Sequence, residues 1–154
     1  MKFDFFDGVR IVMVHGTRGP APEEWRDYLE RISRKDVTYL GLLVLTAGGA
    51  PDAPQRRALN RVLAGQYFAR AIVHRSAFVR GVVAAVSWFS PGVAAFEPGE
   101  WEQAAQHAGF RKEELPEVAR MVRRLHATMG ERIPWLEGAL KGESIRPPDS
   151  LRAR

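Results

Sequence analysis

Two histidines close apolar runs in this chain, His15 in RIVMVH and His74 in ARAIVH. Such runs read as strands, and α/β proteins bind ligands beyond the carboxyl ends of their strands, so both imidazoles are expected near one edge of a sheet. There an imidazole can hydrogen-bond a ligand or move a proton. Thr17, Arg75 and Ser76 stand beside them in the chain. A hydroxyl nucleophile needs a base within hydrogen-bond reach and a third group to orient that base. Ser76 is better placed as the cap of the next helix, and no GxSxG elbow is present. The other two histidines, His107 and His126, complete no HExxH or similar ligand spacing, and there are no cysteines. Disulfide frameworks, thiol catalysis and thiolate metal sites are therefore excluded. No metal, no cofactor and no enzymatic activity is expected.

The other stretch with chemical promise is LTAGGAPDAPQRRAL, residues 45–59, which reads as strand, glycine-rich loop and helix. A phosphate would use free amides at the helix start, their partial positive charge of about half a unit, and glycines that let it approach the backbone. Gly48 and Gly49 supply the glycines, and Arg56 and Arg57 the cations, but neither GxGxxG nor GxxxxGK[ST] is present. Pro51 and Pro54 remove two donors. Asp52, followed three residues later by Gln55, matches a capping box, so its own carboxylate is expected to occupy the amides. A capped structural turn is the first expectation. The set available to a small anionic or lipid-like ligand is His15, Thr46, Gly48, Gly49, Arg56, Arg57, His74 and Arg75.

The elements that must position these residues follow from periodicity. KFDFF and VRIVMVHG read as a hairpin joined at Asp7-Gly8, a dipeptide that favours tight turns. Pro22, Glu23 and Glu24 open a helix that Arg34 and Lys35 close, with Trp25, Tyr28, Leu29 and Ile32 along one face. YLGLLVL is apolar on both faces, as a strand covered twice must be. Ala58, Leu59, Val62 and Leu63 face inward from the loop helix, which ends at Gly65. ARAIVH is a further strand. From Ser76, a helix carries Val79, Val82, Val83 and Val86 on one side and Arg80, Ala84 and Ser87 on another. VAAF is the last strand. GEWEQAAQHAGF reads as a helix with Trp101, Ala105 and Ala108 inward, and Trp25, Trp88, Trp101 and Trp135 as core. In EELPEVARMVRRLHATMG, Leu115, Val118, Val122, Leu125 and Met129 form a stripe suited to another surface. IPWLEGAL is a short helix, and the tail GESIRPPDSLRAR lacks periodicity.

The order implies an α/β fold: a mixed, largely parallel central sheet of about five strands flanked by helices, with a C-terminal helical extension. Residues 1–110 form the α/β domain, 111–141 an extension packed on it or on a partner, and 142–154 a flexible tail. The chain of 154 residues carries a formal net charge of +5. Six arginines and no acid lie between Asp52 and Glu97, but no cationic run or aromatic RNA-binding motif accompanies them, and nucleic acid is not an expected partner. The N-terminus MKFDFFDGVR reads as neither signal nor transit peptide, and no apolar run approaches a membrane span, so a cytoplasmic location is expected.

The strand and helix order, with the loop after LGLLVL, resembles the STAS family of sulfate transporters and anti-sigma-factor antagonists, within it the SpoIIAA-like bacterial members, over residues 3–110. In classical antagonists that loop holds an Asp followed by a phosphorylated Ser or Thr. The matching stretch here runs from Thr46 to Ala53 without an Asp-Ser pair, and Thr46 stands early in it. The resemblance implies a non-enzymatic regulatory module that docks on a protein partner or a second copy through Leu115, Val118, Val122, Leu125 and Met129. The alternative is a small anionic ligand, lipid or substrate held at the strand carboxyl ends.

Overall fold

The computed structural model describes residues 1–34, 36–64, 66–77, 80–81 and 92–142. The expected helix after Ser76, with Trp88 on it, and the tail from residue 143 lie largely or wholly outside the described residues, as does Gly65. Five strands form one sheet in the order β1-β2-β3-β4-β5: Lys2–Phe6, Arg10–His15, Gly41–Thr46, Ala69–His74 and Val93–Phe96. β1 runs antiparallel to β2, and the remaining neighbours are parallel. Asp7 and Gly8 both take positive φ, 51° and 81°, as a tight turn between twisted strands requires. The fold is thus the expected α/β arrangement of a mixed, largely parallel sheet flanked by helices.

Alternation along the strands splits the apolar residues between two faces. Ile11, Met13 and Leu42 point to one face, against helices α1 (Pro22–Ile32) and α2 (Ala53–Val62). Trp25, Tyr28 and Ile32 of α1 are buried there, while Leu29 is half-buried. The helix stops at Ile32, short of the expected Arg34 and Lys35; Ser33 caps it, its hydroxyl donating to the Glu30 carbonyl at 2.7 Å. Arg34 turns instead to Asp36.

Val12, Val14, Leu43, Leu45, Ala71 and Val73 point to the other face. They meet three C-terminal helices, α3 (Trp101–His107), α4 (Leu115–Ala127) and α5 (Leu136–Leu140). α3 packs on β4 and β5, and α4 on β1 and β2. The stripe expected to dock on a partner is therefore core: Leu115, Val118, Val122 and Leu125 are buried in the same cluster as the strands, and Met129 packs against it half-buried. The extension closes the second face of its own sheet, because crossover helices between strands taken in consecutive order all fall on one face and leave the other for whatever follows β5. Among the described residues no helix is long and apolar enough to cross a membrane.

Candidate functional site

The carboxyl ends of three adjacent strands bring His15, Thr46 and His74 into one row. His15 pairs in register with Thr46, and Thr46 with His74. Neighbouring strands stand about 4.8 Å apart, so the two histidine backbones are about 10 Å from each other across Thr46. In-register residues of parallel strands share a face, here the face of Met13, Leu42 and Val44, covered by α1 and α2.

Two loops interlock above the row. Gly49 donates its amide to the Gly16 carbonyl at 2.8 Å, and a Cβ on Gly49 would stand 2.1 Å from the Arg18 carbonyl oxygen, so only glycine allows this approach. Gly48 has φ +129°, a conformation that favours glycine. The Thr46 hydroxyl donates to the Gly49 carbonyl at 2.9 Å and accepts the Gly48 amide at 3.0 Å, pinning the turn from within. Thr46 is buried and its oxygen is engaged on both sides, which leaves it poorly disposed to accept a phosphoryl group. Glu131, beyond α4, accepts from the Thr17 amide at 2.9 Å and its hydroxyl at 2.7 Å, tying the C-terminal segment to the loop after β2.

The helix start expected to be self-capped is self-capped. Asp52 accepts the Gln55 amide at 2.8 Å, and the Gln55 side chain accepts the Asp52 amide at 2.9 Å. The Gln55 side chain also donates to the Pro20 carbonyl, and its own carbonyl accepts from the Trp25 indole, which ties α2 to α1. Its anion-binding amides are thus filled by the protein's own carboxylate.

Beneath the loops, between the sheet and the two helices, lies a cavity of about 260 Å³. His15, Thr46, Gly48, Gly49 and His74 wall it, so five residues of the sequence-derived ligand set come together. The three arginines of that set do not line it. Arg56 donates to the Pro51 carbonyl at 2.6 Å, and Arg57 and Arg75 are exposed. The expectation of an anionic ligand held by Arg56, Arg57 and Arg75 inside this site is corrected accordingly: their side chains stand outside a wall that carries no Asp, Glu, Lys or Arg among its lining residues. Sequence reasoning had placed Trp25, Tyr28 and Leu59, also wall residues, only in the core. The pleat was the available signal for Met13, since period two places it on the face of His15.

The two imidazoles are held differently. His74, 7% exposed, accepts the Ser76 amide at Nδ1, 2.8 Å away, so its proton sits on Nε2 beneath the Gly48 turn. Burial lowers its pKa, and Arg80 adds to the effect. His15 is 3% exposed, with Nε2 3.1 Å from the Met13 sulfur and a buried Nδ1 that has no hydrogen-bond partner. Burial, reinforced by the amino terminus and opposed by Glu24, lowers its pKa to about 4. Both rings are therefore uncharged at neutral pH. Among the described residues no group of three or more metal-ligating side chains accompanies them.

The depressed His15 pKa has a stability consequence. Between pH 6.5 and about 4 the unfolded chain binds a proton that the folded chain refuses, so this contribution is whole above 6.5 and falls away as the pH drops to about 4. The loss amounts to about 3 kcal/mol. Urea unfolding at both ends of that range should show a decline in stability for the parent protein that is smaller in His15→Leu by about that amount. Equal declines would mean that the folded protein protonates His15 freely.

No family model matches the chain, and neither a curated protein nor a solved structure does.

Proposed function

We propose that the protein is a non-enzymatic, STAS-like module that binds a small, largely apolar ligand between its sheet and helices α1 and α2. The cavity carries this reading: it lies at the carboxyl ends of three adjacent strands, its walls are mostly apolar, and one buried imidazole nitrogen in them has no partner. An apolar cavity of about 150 Å³ holds benzene. By proportion, 260 Å³ accommodates a ligand of roughly ten heavy atoms. No nucleophile stands with a base and an orienting group in this row, which supports carriage or sensing over catalysis. Regulation through a protein partner or a second copy is the second reading. Exposed Arg57 and Arg61 on α2, and Tyr67 just after it at 83% exposure, favour it; the buried α4 stripe does not.

The test is titration with 1-aminonaphthalene, an uncharged fluorophore of suitable size that brightens in apolar surroundings. Saturable enhancement is expected, weakened at least about tenfold in Val44→Trp, where the indole fills the cavity from β3. The melting temperature of Val44→Trp should stay near that of the parent, because the added atoms occupy space already empty. A folded parent protein that leaves the fluorescence unchanged would remove the ligand-binding reading.

A further inference from the structure

The hydrogen-bonding groups at the polar end of the cavity define the head of its ligand. This step rests on the ligand-binding reading above. His15 Nε2 faces the Met13 sulfur, a weak acceptor, at 3.1 Å. With the proton on Nε2, the ring donates to sulfur and Nδ1 is left as a buried acceptor. The other tautomer would oppose two lone pairs and bury an orphaned N–H. His74 is set the opposite way, since the Ser76 amide occupies Nδ1 and Nε2–H remains as a donor. Thr46 is engaged at both ends of its hydroxyl, and the Trp25 indole is held by the Gln55 carbonyl. The row therefore presents one open acceptor and one open donor, with no ionised group in the lining.

We propose that the cavity selects an uncharged amphiphile of roughly ten heavy atoms whose head both donates and accepts a hydrogen bond, such as a medium-chain primary alcohol or primary amide. A carboxylate brings two acceptors and no donor, so it leaves His15 Nδ1 unmet and buries a charge without a partner. An alkylammonium can donate to His15 but offers His74 nothing, and it too is buried unpaired. An ether accepts from His74 and leaves His15 Nδ1 as lonely as in the empty protein. The apolar tail lies towards Leu42, Tyr28 and Leu59.

Displacement of bound 1-aminonaphthalene at neutral pH tests the assignment with five ligands of nearly equal size: 1-octanol, octanamide, 1-methoxyheptane, octanoate and octylamine. 1-Octanol and octanamide are expected to displace the fluorophore best. The ether should be about tenfold weaker, the loss typical of one unmet buried hydrogen bond. The two ions should be weaker by about a hundredfold or more. In His15→Leu the advantage of 1-octanol over the ether should shrink to about twofold while the fluorophore still binds. Equal displacement by all five, a preference for either ion, or an alcohol advantage that survives His15→Leu would overturn the head assignment and leave the cavity reading intact. Absence of fluorophore binding in the parent protein overturns both, so the two failures are told apart. Should His15→Leu fail to fold, the ranking of the five ligands on the parent protein decides alone.

Discussion

Val122→Glu is expected to abolish the folded state, giving a chain that lacks cooperative unfolding by circular dichroism and elutes as expanded or aggregated material. Val122 is fully buried, in a cluster that joins α4 to Val12, Val14, Leu43 and Leu45. A carboxylate there has no cation among its neighbours in that cluster, and the cost of burying it unpaired is several kcal/mol. The net stability of a domain is roughly 5–15 kcal/mol, so one such change removes most of it. Leu125→Glu acts in the same direction from one turn further along. Val122→Ala supplies the graded comparison: a folded protein that has lost about 2 kcal/mol, through missing methyl contacts and the space they leave. A Val122→Glu, Leu125→Glu protein that remained a folded monomer and lost only self-association would restore α4 to the docking role that its sequence first suggests.

Glu114→Ala should cost about 3–5 kcal/mol, measured as a drop in the urea midpoint at constant slope. Arg10 enters β2 with its guanidinium buried between the rings of Phe6 and Phe110, each 4.9 Å away. It donates to Glu114 through Nη1 at 2.6 Å and through Nη2 at 3.0 Å, and to the Gly109 carbonyl at 2.9 Å. Asp7 of the β1–β2 turn accepts from the same guanidinium. Glu114 is also held by Arg111, from its amide at 2.8 Å and from its guanidinium. These charge-assisted bonds, from Arg10 first and Arg111 second, hold the Glu114 carboxyl far below the usual carboxylate range. The stability it confers is present above the unfolded pKa near 4.5 and is lost only in strong acid. Removing one partner leaves a buried charge, and that exposed mismatch is the larger part of the cost. The double change Arg10→Met, Glu114→Leu should therefore cost clearly less than the sum of its two single changes. Additive losses would reduce the pair to two independent contacts.

That pair was invisible as a pair in the chain. Arg10 and Glu114 lie 104 positions apart, and nothing in the spacing of either says that the α3–α4 turn comes to the foot of β2. The candidate site was partly legible. His15 and His74 end apolar runs, and the rule that strand carboxyl ends gather ligands brought them to one edge before any coordinates. The capping box at Asp52 and Gln55 was equally legible, because a cap depends on residues three apart. The arginines were misplaced. Arg56 and Arg57 sit in the right stretch, but which way a helix turns its side chains relative to a cavity depends on the packing angle of that helix, which local spacing does not encode. Gly48 and Gly49 drew attention as a phosphate cradle, whereas their task is to let two loops close over apolar walls.

By itself the sequence determined the strands, most of the helices, the hairpin and the two apolar faces of the central strands, since these follow from periods of 2 and 3.6 and from contacts within a few residues. Strand order was decided only in three dimensions. Its consecutive order sends the crossover helices to one face and hands the other to α3, α4 and α5, which turns an apparent docking stripe into core. The cavity was decided there too. A void is the volume that packed elements fail to fill between them, and no single segment of the chain contains that quantity.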